Sequence, residues 1–161
     1  MPRITTSQAG GTNRLAFLDM IAISELTSAL IAETDDGYDV LVGATAAHPL
    51  TFPSYATHPN ILNAALDSTA AGRYQLLHHW YVAYAALLHL PDFSPISQDL
   101  IALQQIRERR ALPMIDAGNF AGAVSACSNI WASLTGSKWG QHTNPLAFLQ
   151  SAYVASGGIV A

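Results

Sequence analysis

Glu25 is the side chain in this sequence best placed to do chemistry. At about 100° per residue, Phe17, Leu18, Ile21 and Ala22 span one side of a helix covering roughly residues 14–32, and Glu25 projects between them while Asp19 points elsewhere. A carboxyl group forced against apolar neighbours resists ionisation. Its pKa rises, and it can stay protonated near neutrality as a general acid of the kind glycosidases use. On these residues alone a structural role is the commoner reading: a helix-start or cleft-edge glutamate paired with Arg14 or Arg73.

A second group of polar residues is Gly72-Arg73-Tyr74-Gln75, which the helical pattern places in the first turn of a helix. A guanidinium, an aromatic ring and an amide so close together can hydrogen-bond to and stack on a glycan; capping with core packing by Tyr74 explains them equally well. Trp139, flanked by Gly136 and Gly140, is an aromatic platform for a sugar face or the anchor of its own loop.

Other chemistry finds less support. His78 and His79 are adjacent, so on a helix they diverge by about 100° and cannot chelate one ion together. His48, His58, His89 and His142 lack metal-ligand spacing, and no metal or cofactor is expected. Cys127 lies in a small-residue helical run, the setting of a core cysteine. There is no nucleophile elbow, phosphate loop or dinucleotide fingerprint.

The elements that must position these groups are mostly helical. Thr34-Asp35-Asp36-Gly37 signals a turn after the first helix, and residues 38–43 read as a short strand. Residues 44–67 carry Pro49, Pro53 and Pro59 with little sustained period, so a long loop is expected. Ser68 or Thr69 can cap a helix through Leu76, Leu77, Trp80, Tyr84, Leu87 and Leu88, ending before Pro91. Ser94-Pro95 opens another, running to the basic end at Arg110. Shorter helices are expected over 111–117, 119–127 and 145–156.

Half of the 161 residues are hydrophobic, enough for one well-cored domain, expected over 14–161 with residues 1–13 as a flexible arm. Charged residues make up 11% and the net charge is −4, which argues against a nucleic-acid partner. A single cysteine excludes an intrachain disulfide framework and fits a reducing compartment. The first residues lack a signal peptide's apolar centre, and Asp19 and Glu25 interrupt the next apolar stretch too soon for a membrane span. A cytoplasmic protein without membrane insertion is expected.

A set of short segments then carries a resemblance. Ala16-Phe17-Leu18-Asp19-Met20, Ser24-Glu25, Gly37-Tyr38-Asp39-Val40, His58-Pro59, residues 71–77, Asp92-Phe93-Ser94-Pro95, residues 111–116 and Cys127-Ser128-Asn129-Ile130-Trp131-Ala132-Ser133 occur in an order that resembles the phage lambda-type endolysins, from about Arg14 to His142. The resemblance implies an α+β, mainly helical lysozyme-like fold with a small β-sheet beside a glycan cleft. It implies peptidoglycan cleavage by lytic transglycosylation during host lysis, with Glu25 as the catalytic acid. Tyr38, Asp39, Arg73, Tyr74, Gln75 and Trp139 match the family's glycan-contacting positions.

The family pattern further implies storage in the host cytoplasm as a monomer, release to the periplasm through a holin-made membrane lesion, and no cofactor. Departures concern fine positioning. Leu26 replaces the glycine after the catalytic glutamate, Ile23 replaces a tryptophan, Trp139 replaces a tyrosine, and the loop before Gly37 is one residue shorter. Two alternatives stay open: a hydrolysing muramidase with Asp39 or Asp36 as second carboxylate, and an inactive glycan-binding module.

Overall fold

The computed structural model describes residues 3–137 and 143–161. Its Cα framework divides into two compact units. One contains Arg3 and Leu26–Ile101; the other contains Ile4–Glu25 and Ala102–Ala161.

The second unit is helical. α1 (Thr6–Ala9) opens with a capping box in which Thr5 accepts from the Gln8 backbone and Gln8 reaches back to Thr5. Within the segment expected to be an arm, Ile4 and Ala9 are both buried. α2 (Thr12–Leu26) buries the stripe read from the sequence: Phe17, Leu18, Ile21 and Ala22 are all fully buried. Phe17 meets Phe120 and Tyr153 edge-on, with centroids 6.2 and 6.3 Å away. These rings belong to α7 (Phe120–Cys127) and α8 (Leu146–Ala155). The start of α2 is tied to the distal chain: Arg14 binds both carboxylate oxygens of Asp116, at 2.8 and 2.6 Å, at the end of α6 (Leu112–Asp116). Asn13 accepts from the Ile159 backbone at 3.0 Å.

The expected helix over 14–32 is two helices. Thr27 adopts a φ of 68°, which breaks the hydrogen-bond ladder after Leu26, and its side chain caps α3 (Ser28–Ala32) by accepting from the Leu30 backbone. Leu26 and Leu30 keep the apolar period across this break, which is why the sequence reads as one helix.

In the first unit the chain from 33 to 77 is turns and loops. Among the described residues its β pairing consists of isolated antiparallel bridges, including Val40–Thr51, Leu41–Ala71 and Ala71–Leu76, in place of the continuous strand over 38–43 and the small sheet expected. Left-handed residues at Asp36, Gly37 and Gly43 flank the segment on both sides. α4 (His78–Leu88) begins well after the expected cap at Ser68 or Thr69. Thr69 does serve its start, accepting from the His78 backbone at 3.3 Å, but from outside the helix. The buried face of α4 carries Tyr81 and Tyr84, which join Phe52, Ala71, Leu76, Phe93 and Ile101 in one core; Trp80 and Leu87 are exposed. α5 (Pro95–Glu108) starts in this unit, at the expected cap, and ends in the other.

Candidate active site

Glu25 is the penultimate residue of α2 and is half-buried. Three features act on its proton. Burial penalises the charged form and is the largest influence, raising the pKa above the usual glutamate value. The negative end of the α2 dipole works in the same sense. Ser133 opposes both, donating its hydroxyl hydrogen to Oε1 at 2.5 Å and a further hydrogen bond from its backbone, which favour the carboxylate. The cations considered as partners are engaged elsewhere: Arg14 with Asp116, and Arg73 with Asp36.

Ser133 is itself supported. The hydroxyl of Ser24, one residue before the acid, donates to Ser133 Oγ at 2.7 Å. Asn144 donates through Nδ2 to Ser24 Oγ at 3.0 Å and to the Ser24 carbonyl at 3.2 Å. The backbone of Asn144 is pinned in turn to Ser133 and Thr135. Its N–H donates to the Ser133 carbonyl at 2.8 Å, and its carbonyl accepts from Thr135 Oγ1 at 2.5 Å. Sequence reading does not single out Ser24, Ser133 or Asn144, although the first two lie in the segments that carry the family resemblance.

In the other unit, the residues matched to glycan contacts fall into two groups. Tyr38, Arg73 and Tyr74 are buried and serve the interior. Both tyrosine hydroxyls donate to Oδ1 of the fully buried Asp99, at 2.9 Å from Tyr38 and 2.6 Å from Tyr74. Burial first, and then the Asp99 charge, pushes both phenol pKa values up, so the phenols remain donors. The Arg73 guanidinium lies 5.1 Å from the Tyr38 ring centroid and binds Asp36 Oδ1 at 2.9 Å and the Asp36 carbonyl.

Residues 72–75 are not the first turn of a helix. They form a tight loop closed by reciprocal backbone hydrogen bonds between Ala71 and Leu76, both at 3.0 Å. Gly72 has φ +78°, and a Cβ there would clash with Gln98 Oε1. That oxygen accepts from the Arg73 backbone at 2.9 Å, while Gln98 Nε2 donates to the carbonyls of Tyr38 and Phe93. Gln98 and Asp99 thus hold the loop from α5, and neither stands out in the sequence. Gln75 is half-buried at φ 49°, its amide donating to the Gly72 carbonyl at 2.9 Å. Asp39 is also half-buried, and its Oδ1 accepts from the Asp35 backbone at 3.0 Å. Trp139 lies outside the described residues.

The remaining candidates have interior roles. Cys127 is fully buried and its thiol pKa is pushed up to about 12, chiefly by burial, which suits core packing and not nucleophilic attack. His58 is buried with Nε2 2.8 Å from the Leu76 carbonyl, and Nδ1 accepts from the Asn60 backbone. Among the described residues no cluster of three or more histidine, cysteine or carboxylate side chains could hold a metal ion.

A sequence profile of the endolysin family matches residues 15–160. The chain is 50% identical over 151 residues to the endolysin of Escherichia phage lambda, covering 91% of this chain and 92% of that protein. This chain belongs to the endolysin family. The endolysin of Escherichia phage P2 is 43% identical, with both chains covered in full. The fold is lysozyme-like: bacteriophage lambda lysozyme complexed with a chitohexasaccharide matches with a TM-score of 0.85 at 45% identity, each chain covered completely. A second lambda lysozyme structure matches with a TM-score of 0.81 at 44% identity and full coverage of both chains. In this endolysin burial holds Glu25 toward its neutral form.

Proposed function

We propose that this endolysin cleaves the glycan strands of bacterial peptidoglycan between N-acetylmuramic acid and N-acetylglucosamine by lytic transglycosylation. The observation that carries this reading is the raised proton affinity of Glu25, whose hydrogen-bonding neighbour Ser133 is a neutral hydroxyl. An acid so placed holds its proton to higher pH than an ordinary glutamate and can release it when negative charge develops on a nearby oxygen.

Glu25 delivers its proton to the leaving glycosidic oxygen as the bond from that oxygen to the muramyl C1 breaks. The C6 hydroxyl oxygen of the same muramyl residue bonds to C1, and its proton returns to the Glu25 carboxylate. Glu25 ends as it began, the product carries a 1,6-anhydro ring, and no water is consumed. Hydrolysis would instead need a second carboxylate, as nucleophile or as base for water. Of the candidates for that role, Asp36 is bound by Arg73 and Asp39 accepts from the Asp35 backbone.

Gln75 and Asp39, being half-buried, are the proposed direct contacts to the glycan, with Trp139 as an aromatic platform. Tyr38, Arg73 and Tyr74 contribute by fixing the loop that carries Gln75. The similarity to a lambda lysozyme complexed with a chitohexasaccharide supports a glycan as the ligand class. No helix among the described residues is long and apolar enough to cross a membrane. We assign storage to the host cytoplasm, access to the periplasm to a holin, and action to the monomer without a cofactor.

Replacing the acid tests the reading. Glu25→Gln keeps the shape and loses the proton, so clearing of permeabilised Gram-negative cells falls by orders of magnitude while the circular dichroism spectrum is unchanged. Asp19→Asn, as a control, loses much less. Near wild-type clearing by Glu25→Gln would overturn the assignment.

A further inference from the structure

We propose that Ser133, anchored through Ser24 by Asn144, is a positioning residue that directs its hydroxyl hydrogen bond into Oε1 of Glu25 and stabilises the carboxylate left when the catalytic proton departs. The proposal rests on Glu25 being the catalytic acid.

The direction of the chain is fixed by its two ends. Asn144 contacts the Ser24 carbonyl, which can only accept, so the nitrogen of the amide must face Ser24. The same nitrogen then donates to Ser24 Oγ. Ser24 spends its hydrogen on Ser133, and Ser133 spends its own on Glu25. An ionised Glu25 can only accept, so with a carboxylate at one end and Asn144 at the other the chain runs one way, from Asn144 through Ser24 and Ser133 to Oε1. Oε1 of the ionised side chain is therefore the acceptor at the end of this chain.

The same geometry tunes the return of the proton. Burial favours the neutral acid, which helps donation and hinders the carboxylate that must exist halfway through the cycle. A hydroxyl donating to a charged oxygen gives more than one donating to a neutral oxygen, so Ser133 acts selectively on the ionised state. Ser24 adds to this by polarising the Ser133 hydroxyl. The anchor is compact: Ser24 precedes Glu25 on α2, and the Asn144 backbone is bound to Ser133 and Thr135.

The test is a carbon-13 NMR titration of the glutamate carboxyl groups, with Glu25 identified by its absence from the Glu25→Gln spectrum, alongside pH profiles of turnover on solubilised peptidoglycan. In Ser133→Ala, Glu25 should titrate about one to two pH units higher than in wild type, the shift a hydrogen bond to a charged group supports. Turnover should fall about ten- to a hundredfold with KM within about twofold, since the lost interaction acts on the ionised intermediate state. Ser133→Thr, which keeps the hydroxyl, should restore the wild-type titration. Asn144→Ala, which keeps both hydroxyls but removes their anchor, should shift the titration in the same direction by less, and it decides the matter if Ser133→Ala fails to fold. An unchanged Glu25 titration in the folded variants would overturn the role of Ser133 while leaving Glu25 as the acid. Retained lysis by Glu25→Gln would instead overturn the acid assignment beneath it.

Discussion

The Ser133 hydroxyl donates to Oε1 of Glu25 across 108 residues of sequence, joining the last turn of α2 to the segment that follows α7. Burial and the hydrogen bonds from the Ser133 side chain and backbone thus act in opposite directions on one proton. Burial is the stronger of the two, and Glu25 holds its proton more tightly than an ordinary glutamate. Several measurable properties depend on that balance and on the network that holds the 72–75 loop.

Holding a proton this way has a stability cost at neutral pH. A glutamate whose folded pKa is raised contributes stability that is fully present below its unfolded value near pH 4.3 and is lost as pH rises through the folded value. Above that range the ionised side chain is less well accommodated than a neutral one. Glu25→Gln should therefore melt a few degrees higher than wild type at pH 8, with the advantage shrinking toward pH 4. Calorimetry across this range measures it. A lower melting temperature for the variant at pH 8 would contradict the account of burial.

Asp99 receives two phenol hydroxyls in the interior, so its removal strands both. Asp99→Ala should cost about 3 kcal/mol or more in urea unfolding, because buried donors lose a charged acceptor. Asp99→Asn keeps an acceptor oxygen and should cost less. Equal losses in the two variants would show that the hydrogen bonds to the tyrosines do not carry the effect.

Gly72 is constrained twice, by its positive φ and by Gln98. A Cβ would overlap Gln98 Oε1, so Gly72→Ala must displace the amide that holds the Arg73 and Tyr38 backbones. A loss of about 2–4 kcal/mol is expected. Gly157 also has a positive φ, +93°, but its nearest contact would be Thr12 Cγ2 at 3.7 Å. Gly157→Ala should cost about 1 kcal/mol, the backbone penalty without the clash. Urea unfolding of the pair separates the two contributions.

His58 gives a pH response of the opposite sign to Glu25. Burial lowers its pKa, and both ring nitrogens are engaged in the neutral form. Its stabilising contribution is present above the unfolded histidine value near 6.5 and is lost as pH falls through the folded value. His58→Gln removes this titration, so the decline in melting temperature between pH 7 and the folded pKa should be shallower than in wild type. An equal slope in both proteins would assign that acid sensitivity to other groups.

What the sequence makes legible is local. The Phe17–Leu18–Ile21–Ala22 stripe, the Ser94-Pro95 start of α5 and the short helix expected over 119–127, found as α7, all depend on neighbours within one or two turns. The break at Thr27 is invisible because a β-branched residue gives no signal for a positive φ and Leu26 and Leu30 preserve the apolar period. Residues 69–77 read as helix because Leu76 and Leu77 extend the period of α4; the loop they form is held by Gln98, which lies 25 positions beyond the Arg73 backbone it binds. The same division runs through the site. Glu25 is legible from its own helix, whereas Ser133 and Asn144 reach it by tertiary folding alone.

The chemical form of the cut ends tests the account most directly. Purified peptidoglycan digested with the wild-type protein in water enriched in heavy oxygen, and analysed by mass spectrometry, distinguishes attack by the muramyl C6 hydroxyl from attack by water. If Glu25 works as the single acid and base, the fragments end in 1,6-anhydro-muramic acid, are lighter by one water than hydrolysis products, and carry no heavy oxygen. Reducing termini containing heavy oxygen would contradict this mechanism and point to Asp39 or Asp36 as a second catalytic carboxylate.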